Sequence, residues 1–188
     1  NNSGVAGATS VSKLVFDNAN YLVGEDGNSM GAVSIGGFNG SAQNATNETI
    51  LGGTALLEVI NRSNVYLSGN MITSNSADST SVSKLLVENS TLKINGELKA
   101  AHTSTGLFSS GSAILEVTGE NSVFEATNKG FYSGYQTDMS GGSIEVLLSG
   151  QNNRISFANQ STNVNEKFYM FAGTSTGTQT GGTIDVKV

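Results

Sequence analysis

Four short acidic elements stand out as candidate chemistry: Leu57-Glu58-Val59, Leu115-Glu116-Val117, Ile144-Glu145-Val146 and Ile184-Asp185-Val186. Carboxylates repeated on neighbouring units of a repeat protein would form a ladder, and Glu116 and Glu145 are expected to fall nearly in one column. Such a column would hold a cation. Its plainer meaning is a solvent-facing strand position kept charged, which discourages lateral sheet association. A carbohydrate-cleaving site would need two carboxylates facing each other across a bond, or an acidic calcium cluster with a basic proton acceptor. The sequence offers no Asp-Asp pair or dense acidic cluster, and its only arginines are Arg62 and Arg154.

His102 is the sole histidine, in Ala100-Ala101-His102-Thr103-Ser104. A Ser–His–Asp relay would have to use it, yet no Gly-x-Ser-x-Gly elbow surrounds it. With no cysteine and no second histidine it has no obvious metal co-ligand. We read it as an exposed loop residue. The aromatic spots Phe131-Tyr132-Ser133-Gly134-Tyr135 and Phe168-Tyr169-Met170-Phe171 are read mainly as core filling, with outward members left as a possible sugar or protein contact. Asn-x-Ser/Thr triplets begin at Asn44, Asn47, Asn61, Asn89 and Asn159. In a chain so rich in these residues chance supplies several of them, so they say little about glycosylation. No catalytic, cofactor-binding or metal-binding residue is assigned, no cofactor is expected, and the chain is read as non-enzymatic.

The elements that carry these residues are near-copies of one unit. Its clearest form runs from Gly111 to Ala126: a strand pattern, the corner Gly119-Glu120-Asn121-Ser122, and a second strand pattern. Related copies begin near Ser12, Thr54, Ser83 and Ser143, and the chain stops inside a sixth at Thr183-Ile184-Asp185-Val186-Lys187-Val188. Taking Phe16, Val59, Val87, Val117, Leu148 and Val188 as equivalent, the spacings are 43, 28, 30, 31 and 40 residues. Recurrence at this period signals a solenoid, in which each unit buries its apolar face only by stacking on a neighbour.

A third short burst closes most units: Met71-Ile72-Thr73, Leu98-Lys99-Ala100, Phe131-Tyr132-Ser133 and Phe168-Tyr169-Met170-Phe171. Three strands per turn is the cross-section of a parallel β-helix. The expectation is therefore an all-β, right-handed parallel β-helix of six to eight rungs with three short strands per rung. At a strand spacing of about 4.8 Å that is a rod on the order of 30–40 Å long. An antiparallel sandwich also has short, regularly spaced strands, but its strands have no reason to copy one another. Residues 1–188 are expected to form one domain, with 1–10 a flexible lead-in and 25–53 an irregular rung or insertion.

Composition agrees. The chain has no proline, and a proline would remove a ladder donor from a central strand. Apolar residues are 37% and charged residues 13% of its 188 positions, the apolar ones gathered into alternating bursts, which argues against disorder. A net charge of −6 without a Lys/Arg cluster makes nucleic acid and anionic membrane surfaces poor partners. No cysteine means no disulfide framework, and no apolar run reaches the roughly 18 residues of a membrane helix. The opening Asn1-Asn2-Ser3-Gly4 is read as part of something longer.

The units Leu56-Leu57-Glu58-Val59…Val65-Tyr66-Leu67-Ser68-Gly69 and Ala113-Ile114-Leu115-Glu116-Val117-Thr118-Gly119 resemble the passenger repeats of Gram-negative autotransporters, closest to the pertactin/AIDA-type adhesins. The resemblance covers residues 11–188. It implies the right-handed β-helix, export through an outer-membrane barrel and display at the cell surface. It also implies adhesion to a host surface protein or glycan, or homotypic self-association and aggregation, without membrane insertion by this segment. A carbohydrate-active β-helix enzyme, or a stalk that scaffolds folding of a longer chain, are the alternatives.

Overall fold

The computed structural model describes residues 11–23, 33–35, 54–68, 71–73, 82–95, 98–100, 112–126, 130–133, 143–157, 169–172 and 183–188. The first rung holds β1 (Val11–Asp17), β2 (Asn20–Val23) and β3 (Val33–Ile35); the second β4 (Thr54–Ile60), β5 (Asn64–Leu67) and β6 (Met71–Thr73). The third holds β7 (Val82–Glu88), β8 (Thr91–Ile94) and β9 (Leu98–Ala100). The fourth holds β10 (Ser112–Thr118), β11 (Val123–Ala126) and β12 (Gly130–Ser133). The fifth holds β13 (Ser143–Leu148), β14 (Arg154–Phe157) and β15 (Tyr169–Ala172), and β16 (Thr183–Lys187) begins a sixth.

Each strand pairs with the strand three places along the chain. The first sheet runs β1-β4-β7-β10-β13-β16, the second β2-β5-β8-β11-β14 and the third β3-β6-β9-β12-β15. Every pairing between these strands is parallel, so the chain is a three-faced parallel β-helix and not a sandwich of antiparallel layers. Parallel crossovers of this kind run right-handed as a rule. Six first-face strands at about 4.8 Å spacing put the outermost two roughly 25 Å apart.

The register reproduces the alignment made on the sequence. Phe16 faces Val59, Val59 faces Val87, Val87 faces Val117 and Val117 faces Leu148. The two long spacings do not insert a strand into the first sheet, because β1 pairs directly with β4 and β13 directly with β16. Within 25–53 the structure describes β3, built on the alternating Val33-Ser34-Ile35, and the remainder of that span lies outside the described residues.

Alternation explains the interior. In β4, β7 and β10 the second, fourth and sixth residues are buried and their neighbours half-buried. The first face therefore sends in columns of like residues: Ala55, Ser83, Ala113 and Ile144; Leu57, Leu85, Leu115 and Val146; Val59, Val87 and Val117. The second face answers with Val65, Leu92 and Phe124, then Leu67, Ile94 and Ala126. Burial of each large side chain stabilises the fold by about 1.5–3 kcal/mol before the entropy of ordering is subtracted. The columns thin at the ends, where Leu14 and Phe16, and Leu148, Ile155 and Phe157, only partly cover the core. Ring contacts help close them: Phe16 meets Tyr21 at 5.2 Å between centroids, and Phe124 meets Phe157 edge-on at 5.8 Å. Among the described residues no helix is long and apolar enough to cross a membrane.

Candidate functional site

The acidic ladder is not built as the sequence suggested. Glu116 faces Leu147 and Glu145 faces Ile114, an offset of two residues, so the two carboxylates do not share a column. The [Leu/Ile]-[Glu/Asp]-Val likeness had aligned the motif on its own letters, whereas β10 and β13 set Leu115 against Val146 and Val117 against Leu148. Glu58 and Glu116 do share a column, with Leu86 between them.

Lysines meet three of these carboxylates. Lys13 Nζ lies 2.7 Å from Glu58, Lys84 Nζ 2.6 Å from Glu116, and Lys187 Nζ 2.6 Å from Glu145. All three pairs run along the same diagonal, from a residue on one strand to the position two beyond its direct partner on the next. Lys187 also reaches Asp185 at 3.1 Å, and hydrogen bonds to Glu145 first and Asp185 second raise its pKa above 10.5. Among the described residues no group of three His, Cys, Asp or Glu side chains is placed to hold a metal. His102, Tyr135 and Phe168 lie outside the described residues, as do Asn44, Asn47 and Asn159. Phe131 and Tyr132 fall on β12, and Tyr169, Met170 and Phe171 on β15, as the third-burst reading expected.

Polar chemistry gathers instead at the corner between the first and second faces. Two residues before each second-face strand the backbone turns left-handed: Asn18 (φ 49°), Arg62 (φ 66°), Asn89 (φ 50°), Asn121 (φ 55°) and Asn152 (φ 56°). Asparagine tolerates this conformation better than other residues with a side chain beyond Cβ. The following position is Ala19, Ser63, Ser90, Ser122 or Asn153, and the three serines are buried. These side chains knit rung to rung. Ser63 Oγ accepts from Ala19 N–H and Ser90 Oγ from Ser63 N–H, each at 3.0 Å, while Asn153 Oδ1 accepts from Ser122 N–H at 2.7 Å. One residue further on the backbone ladder resumes with four N–H···O bonds of 2.8 Å.

Corner length is not constant. Asn18-Ala19 and Asn89-Ser90 make the tightest corners, Asn61-Arg62-Ser63 is one longer, and Gly119–Ser122 and Gly150–Asn153 are longer again. The two long corners open on glycines with φ +83° and +98°, and they stack: Gln151 N–H and Asn153 Nδ2 both donate to the Gly119 carbonyl, at 3.0 and 2.9 Å. Glu120 N–H donates to Asn89 Oδ1 at 2.8 Å, which seats the first long corner on the short one below.

The step between short and long corners leaves an open groove of about 770 Å³, lined by the corner residues of the first three rungs with Glu120 and Asn121 as its upper wall. Its surface is amide, hydroxyl, one guanidinium and the Glu120 carboxylate. Part of each amide is committed within the protein: Asn61 Nδ2 donates to Asp17, Asn64 Nδ2 to Asn20, and Asn121 Oδ1 accepts from Asn152. The sequence reading marked the corner Gly119-Glu120-Asn121-Ser122 but did not single out this groove. Aligning the corners by their distance to the second strand would have shown Arg62 standing where the other rungs carry asparagine.

No family model matches the chain, and no curated protein and no solved structure matches it.

Proposed function

We propose that this chain is a non-catalytic, surface-displayed β-helical module for adhesion or self-association, of the kind found in the autotransporter passengers it resembles. One topological observation carries the reading. Connections from the third face back to the first comprise residues 36–53, 74–81, 101–111, 134–142 and 173–182, whereas in the second, third and fourth rungs the connection from the second face to the third is only residues 68–70, 95–97 and 127–129. The first corner, by contrast, stays between Asn18-Ala19 and Ser149–Asn153 in size. In repeat architectures such per-repeat insertions on one side are commonly the binding side. A rigid ladder holding them at fixed spacing is suited to presenting several weak contacts at once.

The test replaces residues 101–111 and 134–142 with connections as short as 68–70 and measures attachment and aggregation of beads coated with the chain. Attachment and aggregation should fall, with circular dichroism and the melting transition retained; coated beads that attach and clump as before would sink the reading.

A carbohydrate-cleaving reading has one observation of its own. Glu145 and Asp185 face each other on adjacent strands, as a carboxylate pair for glycoside hydrolysis must. Lys187, however, binds both, and so occupies the space between them. Glu145→Gln should therefore leave any attachment unchanged, whereas a polysaccharide-degrading activity abolished by that substitution would favour the enzyme.

A further inference from the structure

We propose that the first-corner groove is a saccharide site selective for a sparsely charged acidic sugar, with Arg62 taking the carboxylate and the corner amides taking hydroxyls. The site lies at the corner opposite in role to the third-corner segments, so it goes beyond the adhesion reading and can fail while that reading stands.

Arg62 is the first observation. Lys13, Lys84, Lys93, Lys187 and Arg154 each have a carboxylate within 4.0 Å, whereas Arg62 has none among the described residues. Among these described cations the pairing is missing at Arg62, inside the groove. An exposed guanidinium with a free fork is the best protein ligand for a planar carboxylate, which it binds through two parallel N–H···O bonds.

The backbone supplies the second. Arg62 sits at φ 66° in a column whose other members are asparagine, directly after Asn61 at φ 57°. A left-handed arginine costs about 1 kcal/mol or more relative to a residue at ease there. The left-handed position does not itself call for arginine, since the other four rungs fill it with asparagine in corners of other lengths. The side chain, not the turn, is what the substitution changes.

The lining gives the third. Asn61 and Asn64 have their amide nitrogens committed and leave carbonyl oxygens as acceptors; Asn89 and Asn121 have their oxygens committed and leave amide nitrogens as donors. Acceptors on the second rung beside donors on the third and fourth suit a row of hydroxyls, each of which both donates and accepts. Glu120 on the upper wall is a further acceptor, and it keeps a ligand's negative group at the Arg62 end. A densely charged polyanion is disfavoured by that carboxylate and by the net charge of −6.

The experiment titrates the full chain with hyaluronan tetrasaccharide, in which carboxylated and uncharged sugars alternate. The uncharged tetramer of N-acetylglucosamine, a fully sulfated heparin tetrasaccharide and free glucuronate are run beside it, with binding read by calorimetry or amide shifts. Hyaluronan tetrasaccharide should bind more tightly than the uncharged oligomer and the heparin fragment, and glucuronate alone should shift Arg62 and its neighbours only weakly. Arg62→Asn restores the residue of the other rungs, so it should melt no lower than the parent while losing about tenfold in affinity for hyaluronan tetrasaccharide, with the uncharged oligomer unaffected. Arg62→Lys should recover only part of the loss, because it keeps the charge without the fork. Equal affinity for the charged and uncharged oligomers, tighter binding of heparin, or an Arg62→Asn variant that binds as the parent does would each overturn the proposal.

Discussion

Ser63 shows how much a single small side chain holds. It is buried, accepts from Ala19 N–H and donates to the Ile60 carbonyl at 2.7 Å, so its hydroxyl closes one corner and ties it to the rung below. Ser63→Ala leaves the half-buried Ala19 N–H without its acceptor, and the expected loss is about 1 kcal/mol, read as a lower urea midpoint at unchanged slope. Gly150 is constrained differently. An added Cβ would run into the Gly119 carbonyl oxygen and come within 2.8 Å of Asn153 Nδ2, at a φ of +98° that side chains avoid. Gly150→Ala should destabilise by roughly 1–3 kcal/mol, whereas Asn121→Gly, at φ 55°, should change stability by only a few tenths of that. Lys187 carries a pH signature. Its folded pKa is raised above 10.5, so its ion pairs contribute below that value and fade as pH climbs through the folded pKa. Nitrogen-detected titration should place Lys187 above 10.5, and Glu145→Gln should bring it back toward the ordinary lysine value.

Strands are the scale at which the sequence speaks most clearly. In Ala113, Leu115 and Val117 the alternation is explicit, and it predicts both the buried face and the partner strand. What alternation cannot supply is which polar neighbours meet, since that depends on a diagonal between two strands. Lys84 and Glu116 are 32 positions apart in the sequence and touch only because β7 and β10 share a register. The acidic motif misled for the same reason: Glu145 resembles Glu116 in its flanking letters but sits two places earlier on its strand. The corner groove was still harder to see, because it exists through a difference in corner length between successive rungs and belongs to none of them. Core position should grade the energetics. Leu115→Ala, fully buried in a central strand, should lose about 2–5 kcal/mol, and Leu14→Ala on the terminal strand β1 distinctly less, both by denaturant unfolding.

As a whole the molecule is a stack whose units touch only their neighbours, so stability is close to a sum over adjacent pairs. Amide exchange should be slowest in β7 and β10 and fastest in β1 and β16, each of which has a strand on one side only. Uniform protection across all six first-face strands would contradict that picture. The lone Leu86 between Glu58 and Glu116 then has an unexpected bearing on how such a chain can change its length. Cutting out residues 82–111 would lower β10 onto β4 in perfect register and set those two carboxylates directly against each other, with Lys84 gone. The shortened protein should therefore fold best in high salt, where screening softens the repulsion. Modules of this stack are interchangeable in shape but carry an electrical parity, and growth or loss by whole storeys is filtered by which charges become new neighbours.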